Sequence, residues 1–339
     1  MKKFKINKRI ISSESPAYII AEIGMNHNGD IKLAKEMIRA AARAGADAVK
    51  FQSFRTEDFL SEKYFDFKER KKYELSYKDH IILANEAKRK YIDFFSTPLD
   101  KFSLDLLNDL SVPVFKIASC DLNNIPFIEL VAKKKKPVIF STGYASIDEI
   151  HKAYQTVKEH GSNKIIIMHC IACYPTEYKD INLKNIEYLK SSFPEAIIGF
   201  SDHSTDYLSV PSTAVALGAR VIEKHFTLDQ ELEGYDHHMS LNEDMFSEMV
   251  KSIRRTESTL GNSRQETGLI GDEGARVLNA RRSLFWRSNL SQGTKVTEKH
   301  VIAKRPGKGI EPTKLDDILG KVLRKDVKED TLVVLKDIE

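Results

Sequence analysis

The sequence is poor in the features that would fix its class at once. Its three cysteines, Cys120, Cys170 and Cys173, are too few and too irregularly spaced for a disulfide framework. Cys170 and Cys173 form one CxxC pair at the end of an apolar run, and no second pair completes a metal site, so a zinc or redox role is the minor reading. Charge of one sign is also scarce. The 53 basic and 49 acidic residues leave a net charge of +4, far from the dense basic face of a nucleic-acid binder. No uncharged stretch reaches the ~18 residues that a membrane helix needs. The basic start, "MKKFKINKRI", is not followed by the apolar core of a signal peptide. These absences leave a cytoplasmic enzyme or binding protein as the expectation. The length of 339 residues allows one large core and a small second domain.

What is present is a rhythm. Eight short runs rich in Ile, Val and Phe recur between residues 17 and 226: "AYIIAEIG", "DAVKFQ", "YIDFFS", "VPVFKIAS", "KPVIFSTG", "NKIIIMHC", "AIIGFSD" and "ARVIEKHF". Most are continuously apolar, the mark of strands buried on both faces of a parallel sheet. Helix-like stretches lie between them. "DIKLAKEMIRAAARAGA" opens on a capping Asp30, closes on Gly45, and places Leu33, Ala34, Met37, Ile38 and Ala41 at helical spacing. "SIDEIHKAYQTVKEHG" and "NEDMFSEMVKSIRRTESTLG" read the same way. The alternation predicts a (β/α)₈ TIM barrel over residues 1–260. A doubly wound open sheet ranks second, because its Gly-rich phosphate loop is missing from "EIGMNHNGD" after the first strand. Residues 261–280 are polar and contain glycines, and read as a linker. Residues 281–339 read as a small, mostly β module that needs something to dock on.

In a (β/α)₈ barrel, functional groups sit at the C-terminal ends of the strands. Those ends carry Glu22, Lys50, Gln52, Ser96, Thr97, Lys116, Ser119, Asp121, Ser141, Thr142, His169, Tyr174, Ser201, Asp202, His203, Glu223, Lys224 and His225. Packing alone would not place such a set there. His203 and His225 follow neighbouring strands, and two imidazoles with open positions suit a divalent transition metal such as Mn²⁺, Fe²⁺ or Zn²⁺. The plain alternative makes each an ordinary hydrogen-bonded barrel residue. Lys50 and Lys116, with Thr97, Ser119, Ser141 and Ser201, make a pocket for a phosphate and a carboxylate. Their plain alternative is internal salt bridges to Glu22 or Asp121. Glu22 is the natural general acid or base. The charged runs "KKKK" (133–136) and "KERKK" (68–72) read as solvated faces.

The segments "AEIGMNHNG", "VKFQ", "STP", "FKIAS", "STGYAS", "HCIACYPT", "GFSDHS", "EKHFT", "DHHMS" and "KRPGKGI", in this order, resemble the sialic acid synthase family. That resemblance implies a TIM barrel followed by an antifreeze-like (SAF, β-clip) domain, and condensation of phosphoenolpyruvate with an N-acylated hexosamine to a nonulosonic acid. It implies a divalent metal on His203 and His225, usually manganese, with magnesium or cobalt as substitutes. It assigns phosphoenolpyruvate to Lys50, Thr97, Lys116, Ser119, Ser141 and Ser201. It turns Glu22, Gln52, Tyr174 and Asp236 toward the sugar, with a less defined role for Asp121, which stands where the family often has glutamate. Arg305 would reach from the SAF domain of one subunit into the other subunit's site, making a homodimer. Ala172 and Tyr235 depart from the family pattern, the first where a polar residue is common and the second where a small residue or proline is. A Schiff-base aldolase using Lys50 or Lys116, another phosphoenolpyruvate–aldose condensing enzyme, and a non-catalytic carbohydrate binder stay open as alternatives.

Overall fold

A computed structural model describes residues 3–261 and 271–339. The chain divides into two compact units, Met1–Gly261 and Asn262–Glu339. The first opens with an antiparallel hairpin, β1 (Lys3–Ile6) and β2 (Arg9–Ser12), which the sequence reading did not anticipate. The eight apolar runs then form parallel strands: β3 (Tyr18–Gly24), β4 (Ala48–Ser53), β5 (Asp93–Pro98), β6 (Phe115–Ile117), β7 (Val138–Ser141), β8 (Ile165–Cys170), β9 (Ile197–Asp202) and β10 (Val221–His225). They pair in the order β5-β4-β3-β10-β9-β8-β7-β6, so the last strand lies beside the first. β5 and β6 pack side by side at the seam, which gives a TIM-barrel-like sheet. The strands are buried almost throughout, as continuous apolar runs require.

The helices follow their punctuation. Asp30 accepts from the N–H groups of Lys32 and Leu33 and starts the helix Ile31–Arg43, and Gly45 leaves it at φ +89°. Ser146 and Glu149 form a capping box on Ile147–His160, and Asn242 caps Glu243–Leu260. Apolar faces of these helices cover the barrel, burying Met37, Ile38, Ile150, Val157, Phe246 and Met249 in one continuous core. The hairpin joins that core through Ile6 and Ile11, and Arg9 reaches Asp47 at 2.8 Å at the N-terminal end of β4.

Of the linker expected at 261–280, residues 262–270 lie outside the described residues. Its other end is not irregular, because Glu273–Ala280 is an α-helix, whose Glu, Ala, Arg and Leu outweigh one glycine. The second unit continues with β11 (Ser283–Trp286) and β12 (Val301–Lys304), an antiparallel pair joined by four isolated bridges within residues 285–338. Trp286, Val296, Ile318, Leu323, Val327 and Val333 form its own core. Trp286 is the largest side chain there and wholly buried. Trp286→Ala is expected to destabilise this unit by about 3–5 kcal/mol. Hydrogen exchange checks it: amides of residues 283–338 lose protection while those of β3–β10 keep theirs.

Candidate active site

Side chains alternate along a strand, so every second residue near a strand's end faces the barrel mouth. On β9 and just after it, Ser201 and His203 face inward and Asp202 outward. On β10, Glu223 and His225 face inward and Lys224 outward. The inward set lines a cavity of about 470 Å³. It holds Glu22, Lys50, Gln52, Thr97, Lys116, Ser119, Ser141, Tyr174, Ser201, His203, His225 and Asp236, all of them expected from the sequence.

One expected barrel residue, Asp121, is not on that wall. Asp121 ends the turn Ser119–Asp121, which sends Ser119 into the cavity and leaves the Asp121 carboxyl interacting with Asn124, the cap of the next helix. Burial pushes that carboxyl up to about 6. Arg305 is exposed in the C-terminal unit just after β12. Three strand-end polar groups serve the scaffold. His169 bonds the Ile181 carbonyl at 2.7 Å, Thr142 donates to the Met168 carbonyl at 3.2 Å, and Ser96 pairs with Ser53 at 2.6 Å.

The lysines are the centre of the electrostatics. Lys50 Nζ lies 2.8 Å from Glu22 Oε2 and 3.6 Å from Glu223 Oε2, and donates to Thr97 Oγ1 at 3.1 Å. The internal salt bridge weighed for Lys50 therefore exists. Lys116 differs: its Nζ donates to Ser141 Oγ at 2.7 Å and to the Ile117 carbonyl at 3.2 Å, and no carboxylate among the described residues pairs with it. Burial lowers its pKa, as expected for an ammonium without a counter-ion. The two glutamates are pushed in opposite directions. Burial, with the charge of Glu223 added, pushes Glu22 up to about 7 against the pull of Lys50. Burial also opposes charge on Glu223, but Lys50 and Lys116 prevail and hold it well below the usual carboxylate range. Ser201 donates to Glu223 Oε1 at 2.9 Å. Below about pH 7 one carboxylate thus faces two lysines, and an arriving anion supplies the counter-charge that Lys116 lacks.

Across the cavity, the His203 and His225 rings lie 5.3 Å apart between centroids. His203 donates through Nδ1 to the Ile171 carbonyl at 2.8 Å, which leaves the lone pair on Nε2. His225 Nδ1 is buried without a hydrogen-bond partner, 3.7 Å from Asp236 Oδ2. Burial holds both rings neutral, with His203 lowered to about 4 and His225 to about 3. Two neutral imidazoles, one with an orphaned nitrogen, fit a divalent metal. Among the described residues no three of His, Cys, Asp and Glu gather tightly enough to hold one alone, so substrate or water would fill the other positions. Tyr174 closes over the pair, 4.3 Å from His203 and edge-on to His225 at 6.2 Å. Cys170 lines the same wall and Cys173 is exposed; both are free thiols.

Two charged wall residues had no role in the sequence reading. Glu223 stood among the strand-end groups, but its pairing with Lys50 depends on the register of non-consecutive strands. Arg70 belongs to "KERKK", read as a solvated run. Lys71 and Lys72 do face solvent, but Arg70 ends the helix Phe67–Arg70 and turns inward. It pairs with Asp66 at 2.9 Å, lies 4.4 Å above the Tyr235 ring, and lines the cavity. Tyr235 in turn donates to Asp66 at 3.2 Å and packs edge-on against Tyr73. The aromatic departure noted at this position is thus tied to an arginine that the polar run concealed.

Comparison with known proteins places these features in context. The NeuB family model matches residues 37–265, and the SAF domain model matches residues 281–339. An uncharacterized protein of Methanocaldococcus jannaschii is 44% identical over 338 residues, covering 100% of this chain and 99% of that protein. The N,N'-diacetyllegionaminic acid synthase of Legionella pneumophila is 37% identical, covering 96% of each. Among solved structures, the N-acetylneuraminic acid synthetase of Leptospira borgpetersenii, in complex with citrate, is 36% identical with a TM-score of 0.77, covering 81% of this chain and 95% of that one.

Proposed function

From the fact that the chain belongs to the NeuB family, we infer that it condenses phosphoenolpyruvate with the open-chain form of an N-acylated hexosamine and water, giving a nonulosonic acid and phosphate. The observation that carries this reading is Lys116, a buried ammonium on the cavity wall with hydroxyls around it and, among the described residues, no carboxylate within ion-pair distance. Lys50 and Lys116 bind the phosphate and carboxylate, and Thr97, Ser119, Ser141 and Ser201 orient them. His203 and His225 would hold a divalent ion such as manganese, which when bound polarises the sugar aldehyde as a Lewis acid.

The protein's part in the chemistry is then proton handling and placement. C3 of phosphoenolpyruvate bonds to the aldehyde carbon, and the Glu22 carboxyl gives its proton to the developing alkoxide. Water adds at C2 of the resulting cation, and the Glu22 carboxylate takes back a proton from it. The C2–O bond to phosphate breaks as the C2 hydroxyl becomes the keto group, and the hydroxyl proton leaves with the phosphate. Tyr174, Gln52 and Asp236 hold the sugar on the metal side of the cavity. In the same reading Arg305 completes the site of a second copy, which makes the enzyme a homodimer, and the reaction takes place in the cytoplasm. Among the described residues no helix is long and apolar enough to cross a membrane.

Phosphate release from phosphoenolpyruvate tests the function directly. It is measured with Mn²⁺ or with EDTA, against N-acetylmannosamine and 2,4-diacetamido-2,4,6-trideoxymannose. The expected result is metal-dependent release with one of these sugars. Release with neither, from folded and metal-loaded protein, would overturn the assignment.

A further inference from the structure

Behind the two histidines, on the outward face of the same strands, lies a buried ion pair that the reaction does not use. Asp202 and Lys224 are register partners on β9 and β10. Each is the residue next to a histidine in sequence, and each side chain is only 1% exposed. An ammonium has three donors. Those of Lys224 meet Asp202 Oδ2 at 2.7 Å, the Ser204 carbonyl, and the Asp206 carbonyl at 2.9 Å. The other Asp202 oxygen, Oδ1, accepts the N–H of Ser204 at 2.8 Å. The side chain of Asp206 accepts the N–H groups of Leu208, Ser209 and Val210 at 2.8–3.0 Å and anchors the start of the helix Ser209–Ala216.

We propose that Lys224 and Asp202 are positioning residues, a clamp that fixes His203 relative to His225 and thereby sets the affinity of the site for a divalent metal. The inference rests on the metal reading given above. His203 stands between Asp202 and Ser204, and both are bonded to one ammonium, which the backbone of β10 carries beside His225. Any drift of the 203–206 segment from β10 stretches the bonds from Lys224 to the Ser204 and Asp206 carbonyls, inside a buried space. The Nδ1–H bond from His203 to Ile171 fixes the ring's rotation. The clamp fixes the ring's distance from its partner.

A purely structural role predicts something else. Buried ion pairs contribute little net stability, and apolar side chains of similar volume often replace them without loss. The double variant Asp202→Leu/Lys224→Met therefore separates the two roles. It removes both charges together, but leaves the Ser204 and Asp206 carbonyls without their donor. Mn²⁺ binding to the full-length protein is read from the electron paramagnetic resonance of the free ion. The dissociation constant is expected to rise about 10- to 100-fold, as for other groups that orient metal ligands. At saturating Mn²⁺, the KM for phosphoenolpyruvate stays unchanged, because Lys50 and Lys116 are untouched. An unchanged Mn²⁺ affinity in the folded double variant would overturn the clamp.

Hydrogen exchange on the metal-free wild-type protein decides the matter should the variant fail to fold. The Ser204 amide is expected to be protected as strongly as β9 and β10, and exchange at the rate of an open loop would sink the proposal. Wild-type protein that binds no Mn²⁺ would remove the metal reading and the clamp's function with it. The two failures are distinguishable, because wild-type binding with an unaffected variant removes the clamp alone.

Discussion

Lys116→Met is expected to produce a protein that is more stable and almost inactive. Methionine keeps the length and apolar body of the side chain and removes an ammonium that is fully buried and, among the described residues, has no carboxylate within ion-pair distance. Burying such a charge costs free energy, which the substitution relieves. The same change removes the wall cation that, among the described residues, has no carboxylate within ion-pair distance and is free to accept an anion. The value of kcat/KM for phosphoenolpyruvate falls by about 10³-fold, the scale of losing a preorganised charged donor in a closed site. Thermal unfolding and steady-state phosphate release on one preparation check both halves. A lower Tm would mark Lys116 as a scaffold residue, and retained activity would remove it from the anion site. Lys50→Met has the opposite stability sign, since it leaves Glu22 and Glu223 facing each other without the cation between them. Borohydride treatment during turnover adds a third readout. A covalent adduct on either lysine would favour the Schiff-base alternative.

The contrast between the two lysines was not visible in the sequence, where both simply follow an apolar strand core. What was legible is whatever depends on local periodicity. The eight strands could be read because continuous apolar runs of five to eight residues have one stable home, a sheet covered on both faces. The cavity residues could be read because a barrel puts strand ends on one rim. The caps at Asp30, Ser146 and Asn242 were local too. Contacts between distant segments stayed hidden. The pairing of Glu223 with Lys50 joins β10 to β4 across β3. The inward turn of Arg70 depends on Tyr235, far along the chain, and its neighbours Lys71 and Lys72 gave the run a solvated look. The N-terminal hairpin escaped because its strands are only four residues each and its turn, Asn7 at φ +50° followed by Lys8, lacks the glycine that usually marks such a turn. Asp121 was misplaced because a three-residue turn after β6 breaks the alternation that holds elsewhere.

Glu22→Gln is expected to lower kcat by about 10²- to 10⁴-fold, the usual contribution of a general acid or base, and to flatten one limb of the pH profile. The sign follows from the site. Burial holds a proton on Glu22 up to about pH 7. Below that pH its carboxyl is neutral, and among the described residues Glu223 is the carboxylate left to oppose Lys50. Above it Glu22 ionises, and its carboxylate, 2.8 Å away, takes Lys50 as an ion-pair partner in competition with the anionic substrate. In the wild-type protein, kcat/KM for phosphoenolpyruvate therefore falls as pH rises through about 7. Binding of the anion favours the protonated form of Glu22 in turn, so linkage moves the corresponding limb of kcat to higher pH. Glutamine is isosteric and stays neutral throughout. Its kcat/KM lacks the descending limb, and any titration of the substrate itself appears equally in both proteins and cancels from their ratio. The ratio of wild-type to variant kcat/KM across pH 5.5–9 is the measurement. A limb near pH 7 that persists in Glu22→Gln would assign the titration to another group and take from Glu22 its place as the proton carrier.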